Sequence, residues 1–402
     1  MARSSTIPAR PHPLTRSQAA IRADAALGKI WERGLTEKPP LEPEFQWAKG
    51  SKGYSPDDER SVRSGEDVAD FRDRLEILCQ SVREEAALNA LGHTMAYGQI
   101  TSAIRKRHAL GKLWRERPAL TETPIAPPII VIGQMRAGTT RMQRLLAADP
   151  AHCGTRFCNS HDPLPRTPDT RPVASRAFLK IARSINPWLD ALHPFGATRT
   201  DEEIGWLAAA LSPCAIEAQW RIPSYVQWSE ARDPAPVYRE FARILRTDAA
   251  SMGNAERPRV LKCPQYSEDL PALLDQFPDA RLVVTHRDAS ALLASSVSMV
   301  ASQMAPQSDD LAVQGIETEW QRKLALREER MTRALSEFSG PVTHVQFDAL
   351  NADWMNEIHR IYSQLRLEFT DKSEVAMQTE HARSATQKHS EHRSLIDGFS
   401  GN

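Results

Sequence analysis

Two clusters of residues in this sequence have the types and spacing that bind phosphate. The first is the loop from Gly133 to Thr140, in which two glycines bracket Arg136 and a pair of threonines follows. This is nearly the spacing of a Walker loop, whose backbone N–H groups and lysine hold nucleotide phosphates. Thr139 occupies the place of that lysine, and the cation lies inside the loop instead. The loop therefore predicts a nucleotide with a different second anionic group.

The second cluster combines Arg287 with Ser295, which follows it by eight residues. An arginine offers a fork of donors to a phosphate, and a serine adds a hydroxyl. Taken alone, Arg287 is better explained as the ion-pair partner of Asp288 or a neighbouring carboxylate, and Ser295 as a small residue at a helix contact. Together with the glycine loop, the pair favours a second phosphate site.

The elements that must position these clusters are strands that alternate with helices. Strand-like segments recur at 129–132, 259–262, 281–286 and 342–347. This alternation predicts an α/β fold with a P-loop-like central parallel sheet flanked by helices and preceded by an N-terminal helical region. Ligands of such a sheet bind at the carboxyl ends of the strands.

Composition shifts divide the chain into three predicted parts. Residues 1–64 are rich in proline and charge and predict a loose arm with one short helix near 25–33. Residues 65–126 have helical periodicity and predict a prelude that packs on the main domain. The binding domain covers 127–402, and its long segment 150–253 is expected to be an insertion on the acceptor side. The prelude is predicted to form three helices, at 67–78, 84–91 and 100–115.

The overall composition is that of an ordinary globular protein. The chain has 51 basic and 51 acidic residues, so its net charge of zero does not indicate nucleic acid as a partner. Its five cysteines lack paired metal-ligand spacing and are expected to be reduced thiols. No apolar run has transmembrane length, and no signal-peptide hydrophobic region is present at the N-terminus. These features predict a cytoplasmic protein without a membrane span.

The Gly-x-x-Arg-x-Gly-Thr-Thr loop and the Arg287/Ser295 pair resemble the two nucleotide-binding motifs of sulfotransferases. Those enzymes take a sulfuryl group from 3′-phosphoadenosine-5′-phosphosulfate (PAPS) and release 3′,5′-adenosine bisphosphate (PAP). Segments 261–265, 347–350 and 388–399 are similar to those of the large bacterial branch with an N-terminal helical region. The resemblance covers about residues 65–402. It implies sulfuryl transfer to the hydroxyl or amine of a small-molecule acceptor, without a metal.

The resemblance also implies roles for individual residues. The loop would hold the 5′-phosphosulfate, Arg287 and Ser295 the 3′-phosphate, and Lys262 the bridging oxygen or the sulfuryl group. Two basic residues near the C-terminus, Lys388 and Arg393, would close over the nucleotide. The full set of predicted donor-binding residues is Gly133, Arg136, Ala137, Gly138, Thr139, Thr140, Arg287, Ser295, Lys388 and Arg393.

The base that deprotonates the acceptor is less directly indicated, although sulfuryl transfer requires one. Positions at which the branch carries a glutamate and a histidine fall on Asn159 and Tyr266. An acid at a helix start and a satisfied loop histidine are the structural alternatives for the remaining acids and histidines. Those candidates are His161, Asp162, His193, Asp201, Glu202 and Glu203. We predict Lys262, Glu202, Glu203 and His161 as the catalytic residues.

Two other functions remain open from the sequence. A phosphotransferase or nucleotide kinase would share the architecture, but the missing Walker lysine argues against it. A non-catalytic PAP- or PAPS-binding relative is the second alternative, because Asn159 and Tyr266 replace groups that act on the acceptor. The N-terminal arm also makes a homodimer conceivable.

Overall fold

The computed structural model describes residues 8–385 of the chain. In this part, the centre is a five-stranded parallel sheet with the strand order β2-β3-β1-β4-β5. The predicted α/β architecture is therefore confirmed. The strands are β1 Ile129–Gly133, β2 Cys153–Gly154, β3 Arg259–Lys262, β4 Arg281–His286 and β5 Val342–Gln346.

The three central strands are almost entirely buried because helices cover both faces of the sheet, and each contains an apolar run: 129–132 in β1, 260–261 in β3 and 282–284 in β4. Four strands were predicted to within one residue at either end. The exception is β2, which has only two residues and pairs with β3 at the edge. A segment that short has no periodicity from which a strand can be predicted.

The helices surround this sheet and also form the N-terminal region. Two short 3₁₀ helices, Pro118–Glu122 and Pro264–Ser267, lie just before β1 and just after β3. The α-helices are α1 Gln18–Glu32, α2 Pro43–Gly50, α3 Pro56–Arg60, α4 Gly65–Glu84, α5 Ala90–Glu116, α6 Thr139–Ala148, α7 Phe157–His161, α8 Arg171–Ile185, α9 Leu189–Leu192, α10 Ile204–Ala208, α11 Cys214–Glu217, α12 Pro223–Glu230, α13 Ala235–Met252, α14 Leu270–Gln276, α15 Ala289–Met304, α16 Val313–Glu337, α17 Phe347–Ala352, α18 Trp354–Gln364 and α19 Asp371–Ala385.

The helical region differs in detail from the prediction. No separate helix spans 84–91, because α4 continues to Glu84 and α5 begins at Ala90. The side chain of Asn89 caps α5 by accepting a hydrogen bond of 2.9 Å from the N–H of Gly92, which fixes the boundary there. The helix predicted at 100–115 is the second half of α5, a helix of 27 residues.

The first 64 residues contain more helix than the single short one predicted. Their described part holds α1, α2 and α3, and α2 is anchored on α5 by a buried amide. Gln46 donates to the carbonyl of Pro40 at 2.8 Å and accepts from the hydroxyl of Thr101 at 2.7 Å. These bonds satisfy a polar side chain that is fully buried, and so hold this segment against the prelude.

The topology brings the predicted functional segments together at the carboxyl ends of the parallel strands. Parallel pairing places Gly133 beside Thr285, so the loop after β1 and the loop after β4 begin side by side. Lys262 ends β3 on the other side of β1. Segment 150–253 carries β2 and helices α7 to α13. Within the described residues, no helix is both long and apolar enough to cross a bilayer.

Candidate active site

The glycine loop connects β1 to α6 with a backbone that requires its two glycines. Gly133 has φ 142°, and a Cβ there would lie 2.6 Å from the carbonyl oxygen of Thr285. Gly138 has φ 84°, and a Cβ there would lie 2.8 Å from the ring of Phe347. No side chain among the described residues caps the start of α6. The N–H groups of its first turn are therefore available to an anion.

Arg136 joins the glycine loop to the second motif. Its Nε donates to the hydroxyl of Ser295 at 2.8 Å, and its Nη1 donates to the carbonyl of Leu192 at 2.6 Å. Arg287 in turn donates to the backbone carbonyl of Arg136 at 2.8 Å and lies 4.3 Å from the ring centre of Phe347. Burial, together with repulsion from Arg287, lowers the pKa of Arg136 to about 10. Two guanidinium groups thus converge where an anion would relieve their repulsion.

A cavity of about 600 Å³ opens beside Arg287. It lies between the strand ends and helices α15 and α16, and its volume is in the range of small-ligand sites. Residues that line it include Gln134, Ala137, Arg287, Ser290, Leu293 and Glu328.

Lys262 connects the glycine loop to the acidic run that follows residue 200. Its ammonium donates to the hydroxyl of Thr140 at 3.0 Å and forms an ion pair with the carboxylate of Glu202. Only 1% of Lys262 is exposed, so this charge is held by its partners rather than by water. The three residues place a cation, a hydroxyl and a carboxylate next to the start of α6.

Glu203 contacts the backbone of Lys262 and is fully buried. Its carboxylate accepts from the Lys262 N–H at 2.8 Å and from the Tyr266 hydroxyl at 3.0 Å. Burial raises the pKa of Glu203 to about 7 despite these hydrogen bonds. The contacts hold the end of β3 and therefore position Lys262. They also explain why a tyrosine occupies position 266.

His193 lies next to the same acidic run. Its Nε2 is 3.1 Å from a carboxylate oxygen of Asp201, and its Nδ1 is 4.0 Å from a carboxylate oxygen of Glu202. Burial alone would raise the pKa of Asp201, but His193 and Arg144 hold that pKa well below its usual range. This contact between residues 193 and 201 lies between irregular segments, where the sequence has no periodic signal.

The side chains of His193, Asp201 and Glu202 approach one another closely enough to hold a metal ion, with ligand atoms within 4.8 Å. Two cations already contact this group, however. Lys262 pairs with Glu202, and Arg144 lies 3.4 Å from Asp201. Both carboxylates are thus already paired with cationic side chains of the protein itself.

His161 lies on an aromatic wall beside the acidic run. Its ring stacks on Phe157 with the ring centres 4.1 Å apart. Burial and the nearby Lys106 ammonium lower the pKa of His161 to about 4, so the imidazole is neutral at pH 7. Asn159 forms a buried structural contact, since its side-chain amide donates a hydrogen bond to the carboxylate of Asp248 at 2.5 Å.

The structure therefore brings most of the predicted residues together. The glycine loop, Arg287 and Ser295 form one end of the site, and Lys262 and Glu202 form the other. Asp162 points elsewhere and pairs with Arg166. The predicted Lys388 and Arg393 lie outside the described residues.

Comparison with known proteins gives a consistent result. A family model described as "Sulfotransferase family" matches residues 127–371. Curated relatives include the omega-hydroxy-beta-dihydromenaquinone-9 sulfotransferases Stf3 of Mycobacterium bovis and Mycobacterium tuberculosis. Each is 27% identical over 187 residues, which make up 45% of this chain and 47% of the relative. The match thus spans about half the length of these relatives.

Two solved structures resemble the whole architecture. Sulfotransferase STF1 from Mycobacterium tuberculosis H37Rv has a TM-score of 0.71 and 25% identity, and the match covers 90% of this chain and all of that one. Sulfotransferase STF9 from Mycobacterium avium has a TM-score of 0.75, 20% identity and coverage of 85% and 88%. The second likeness concerns the fold alone.

Proposed function

This chain belongs to the sulfotransferase family, and we propose that it transfers a sulfuryl group from PAPS to the hydroxyl or amine of a small-molecule acceptor. The observation that carries this proposal is the convergence of the glycine loop, including Arg136, with Arg287 and Ser295 at the carboxyl ends of the strands. Two cations and an uncapped helix start at these strand ends fit a nucleotide with two separate anionic groups.

For the donor, the residues divide into two sets. The loop from Gly133 to Thr140, with Arg136, would bind the 5′-phosphosulfate, and Arg287 with Ser295 would bind the 3′-phosphate. The donor supplies a sulfuryl group that is already activated by its bond to phosphate. Lys262 is placed to stabilise charge that develops on the leaving phosphate, because its ammonium already contacts Thr140 in the first turn of α6. Lys388 and Arg393 remain proposed contacts to the nucleotide.

For the acceptor, Glu202 is the proposed base. Its carboxylate touches the Lys262 ammonium, so a hydroxyl next to it would also be next to the transferred group. His193 lies next to Glu202 and contacts the carboxylate of Asp201. These contacts support a role for His193 in positioning Glu202. Glu203 was predicted as catalytic, but its contacts with the Lys262 backbone and Tyr266 support a positioning role instead.

The proposed acceptor is an alcohol on an apolar molecule. Aromatic rings line the approach to Glu202, since Phe157 packs on Phe195 at 5.5 Å and Phe195 on His193 at 4.4 Å. The Stf3 relatives are named as sulfotransferases of omega-hydroxy-beta-dihydromenaquinone-9, and this name includes a hydroxyl group. The proposed location is the cytoplasm, because all five cysteines are unpaired and buried.

The proposal is tested by incubating the protein with sulfur-labelled PAPS and a panel of phenols, sterols and long-chain alcohols. Labelled product and release of PAP are expected without added metal. Turnover of ATP that requires magnesium would favour the phosphotransferase alternative. Tight PAP binding without any labelled product would favour the non-catalytic alternative.

A further inference from the structure

Helix α8 exposes an unusually apolar surface. Val173, Phe178 and Ile181 are 65%, 55% and 65% exposed, and they are three of the seven large hydrophobic side chains exposed in the described residues. The opposite face of the helix is anchored, since Arg171, Ser175 and Leu179 are buried. With 3.6 residues per turn, the three side chains lie within an arc of about 140° on one side of the helix, and we call them the apolar strip. Such a concentration marks an interaction surface.

All the charged residues of α8 are basic. The helix contains four cationic residues and no carboxylate, in a chain whose net charge is zero. Arg171 and Arg183 form ion pairs with Asp169 and Asp190. Arg176 and Lys180 are exposed next to the apolar strip. An apolar strip with a cationic flank is typical of helices that lie in the surface of an anionic bilayer.

The apolar strip is continuous with the candidate active site. The ring of Phe178 lies 6.4 Å from Phe157 and 6.5 Å from His161. Phe157 then contacts Phe195, which packs on His193 beside Glu202. One row of aromatic rings therefore leads from the exposed helix to the proposed base.

We propose that α8 docks this protein onto an anionic lipid surface, from which an amphiphilic alcohol reaches Glu202 along the aromatic row. Docking is independent of the proposed function, whereas delivery of the acceptor depends on it. A second copy of the chain fits the strip less well. A twofold contact through α8 would bring Arg176 and Lys180 close to their own copies, with no carboxylate in the helix to pair with them. Anionic headgroups would pair with both cations.

Co-sedimentation with vesicles tests docking directly. The full chain is mixed with vesicles of phosphatidylcholine alone or with one third phosphatidylglycerol added. We expect binding to the anionic vesicles that weakens as salt is raised. Ile181→Asp should weaken this binding by about tenfold or more, because it puts a charge in place of apolar area that docking would bury in the lipid. Lys180→Glu should weaken it by roughly tenfold or more through charge alone.

Val375→Asp is the matched control, since Val375 is 63% exposed on α19, outside α8. It should bind anionic vesicles like the unsubstituted protein, and PAP binding should be retained in all three variants. Equal vesicle binding by Ile181→Asp and the unsubstituted protein would overturn the proposal. A dimer in sedimentation velocity that Ile181→Asp dissociates, without vesicle binding, would also overturn it and assign the strip to a second copy. Vesicle binding without any sulfuryl transfer would retain docking and reject only the delivery of an acceptor.

Discussion

The Nε of Arg136 lies 2.8 Å from the hydroxyl of Ser295, although 159 residues separate the two in the chain. This contact joins the loop after β1 to the helix after β4. Both side chains are hydrogen-bond donors that suit phosphate, so a bound anion would compete for the groups that now contact each other. The contact therefore links the two proposed phosphate sites physically as well as in sequence pattern.

Replacing Arg287 tests the 3′-phosphate site. We expect Arg287→Ala to weaken PAP binding by about ten- to a hundredfold, because a charged hydrogen bond contributes roughly 1.5–3 kcal/mol. Isothermal titration calorimetry measures the change. Arg281→Ala, at the opposite end of β4, is the matched control and should bind PAP normally. Unchanged binding in Arg287→Ala would remove this residue from the site.

Replacing Lys262 separates catalysis from binding. Lys262→Met should lower kcat by about a hundred- to a thousandfold, the effect of removing one preorganised donor from a transition state. PAP affinity should change far less, since the loop and Arg287 remain. Steady-state kinetics and calorimetry on the same variant check both. A parallel loss of affinity and turnover would show that Lys262 acts in the ground state.

Replacing Glu202 tests the proposed base. Glu202→Gln keeps the shape of the side chain but cannot take a proton, so kcat should fall by about a hundred- to ten-thousandfold. Asp162→Asn is a suitable comparison, because Asp162 forms its ion pair with Arg166 instead of with Lys262. Its kcat should be close to normal. Comparable turnover of the two variants would contradict the assignment of Glu202.

The buried Glu203 should make stability depend on pH. Its folded-state pKa of about 7 lies above its ordinary value of 4.5, so its favourable contribution is complete below pH 4.5 and is lost as the pH rises through 7. Glu203→Gln preserves the acceptor for Lys262 and Tyr266 but cannot ionise. Relative to the unsubstituted protein, this variant should gain stability between pH 5 and pH 8, by up to ~3 kcal/mol.

Thermal unfolding at pH 5 and pH 8 measures that gain. Burial also raises the pKa of Asp269 to about 7, so Glu203→Gln should remove only part of the pH dependence. Asp269→Asn serves as the comparison. It should remove a different part of the pH dependence of stability, because Asp269 contacts Gln265 rather than Lys262. An identical decline with pH in the unsubstituted protein and Glu203→Gln would mean that Glu203 is already ionised at pH 5.

The sequence was informative where one physical signal dominates. Strands β1 and β4 are buried on both faces, so their apolar runs are visible directly, and the glycine loop is marked by its need for positive φ. The boundary near residue 90 was missed because it depends on the Asn89 cap rather than on periodicity. The contact between His193 and Asp201 was also missed, because the packing of irregular segments in the insertion creates it.

The most direct test of the account is a thermal-shift titration of the unsubstituted protein with PAP and with ATP, each with and without magnesium. Saturation with PAP at a hundredfold excess over Kd should stabilise the protein by about 2.7 kcal/mol. This shift should not depend on magnesium, and it should exceed the shift produced by ATP at the same concentration. Absence of stabilisation by PAP, or a larger shift with ATP that requires magnesium, would contradict the central claim that this site binds PAPS.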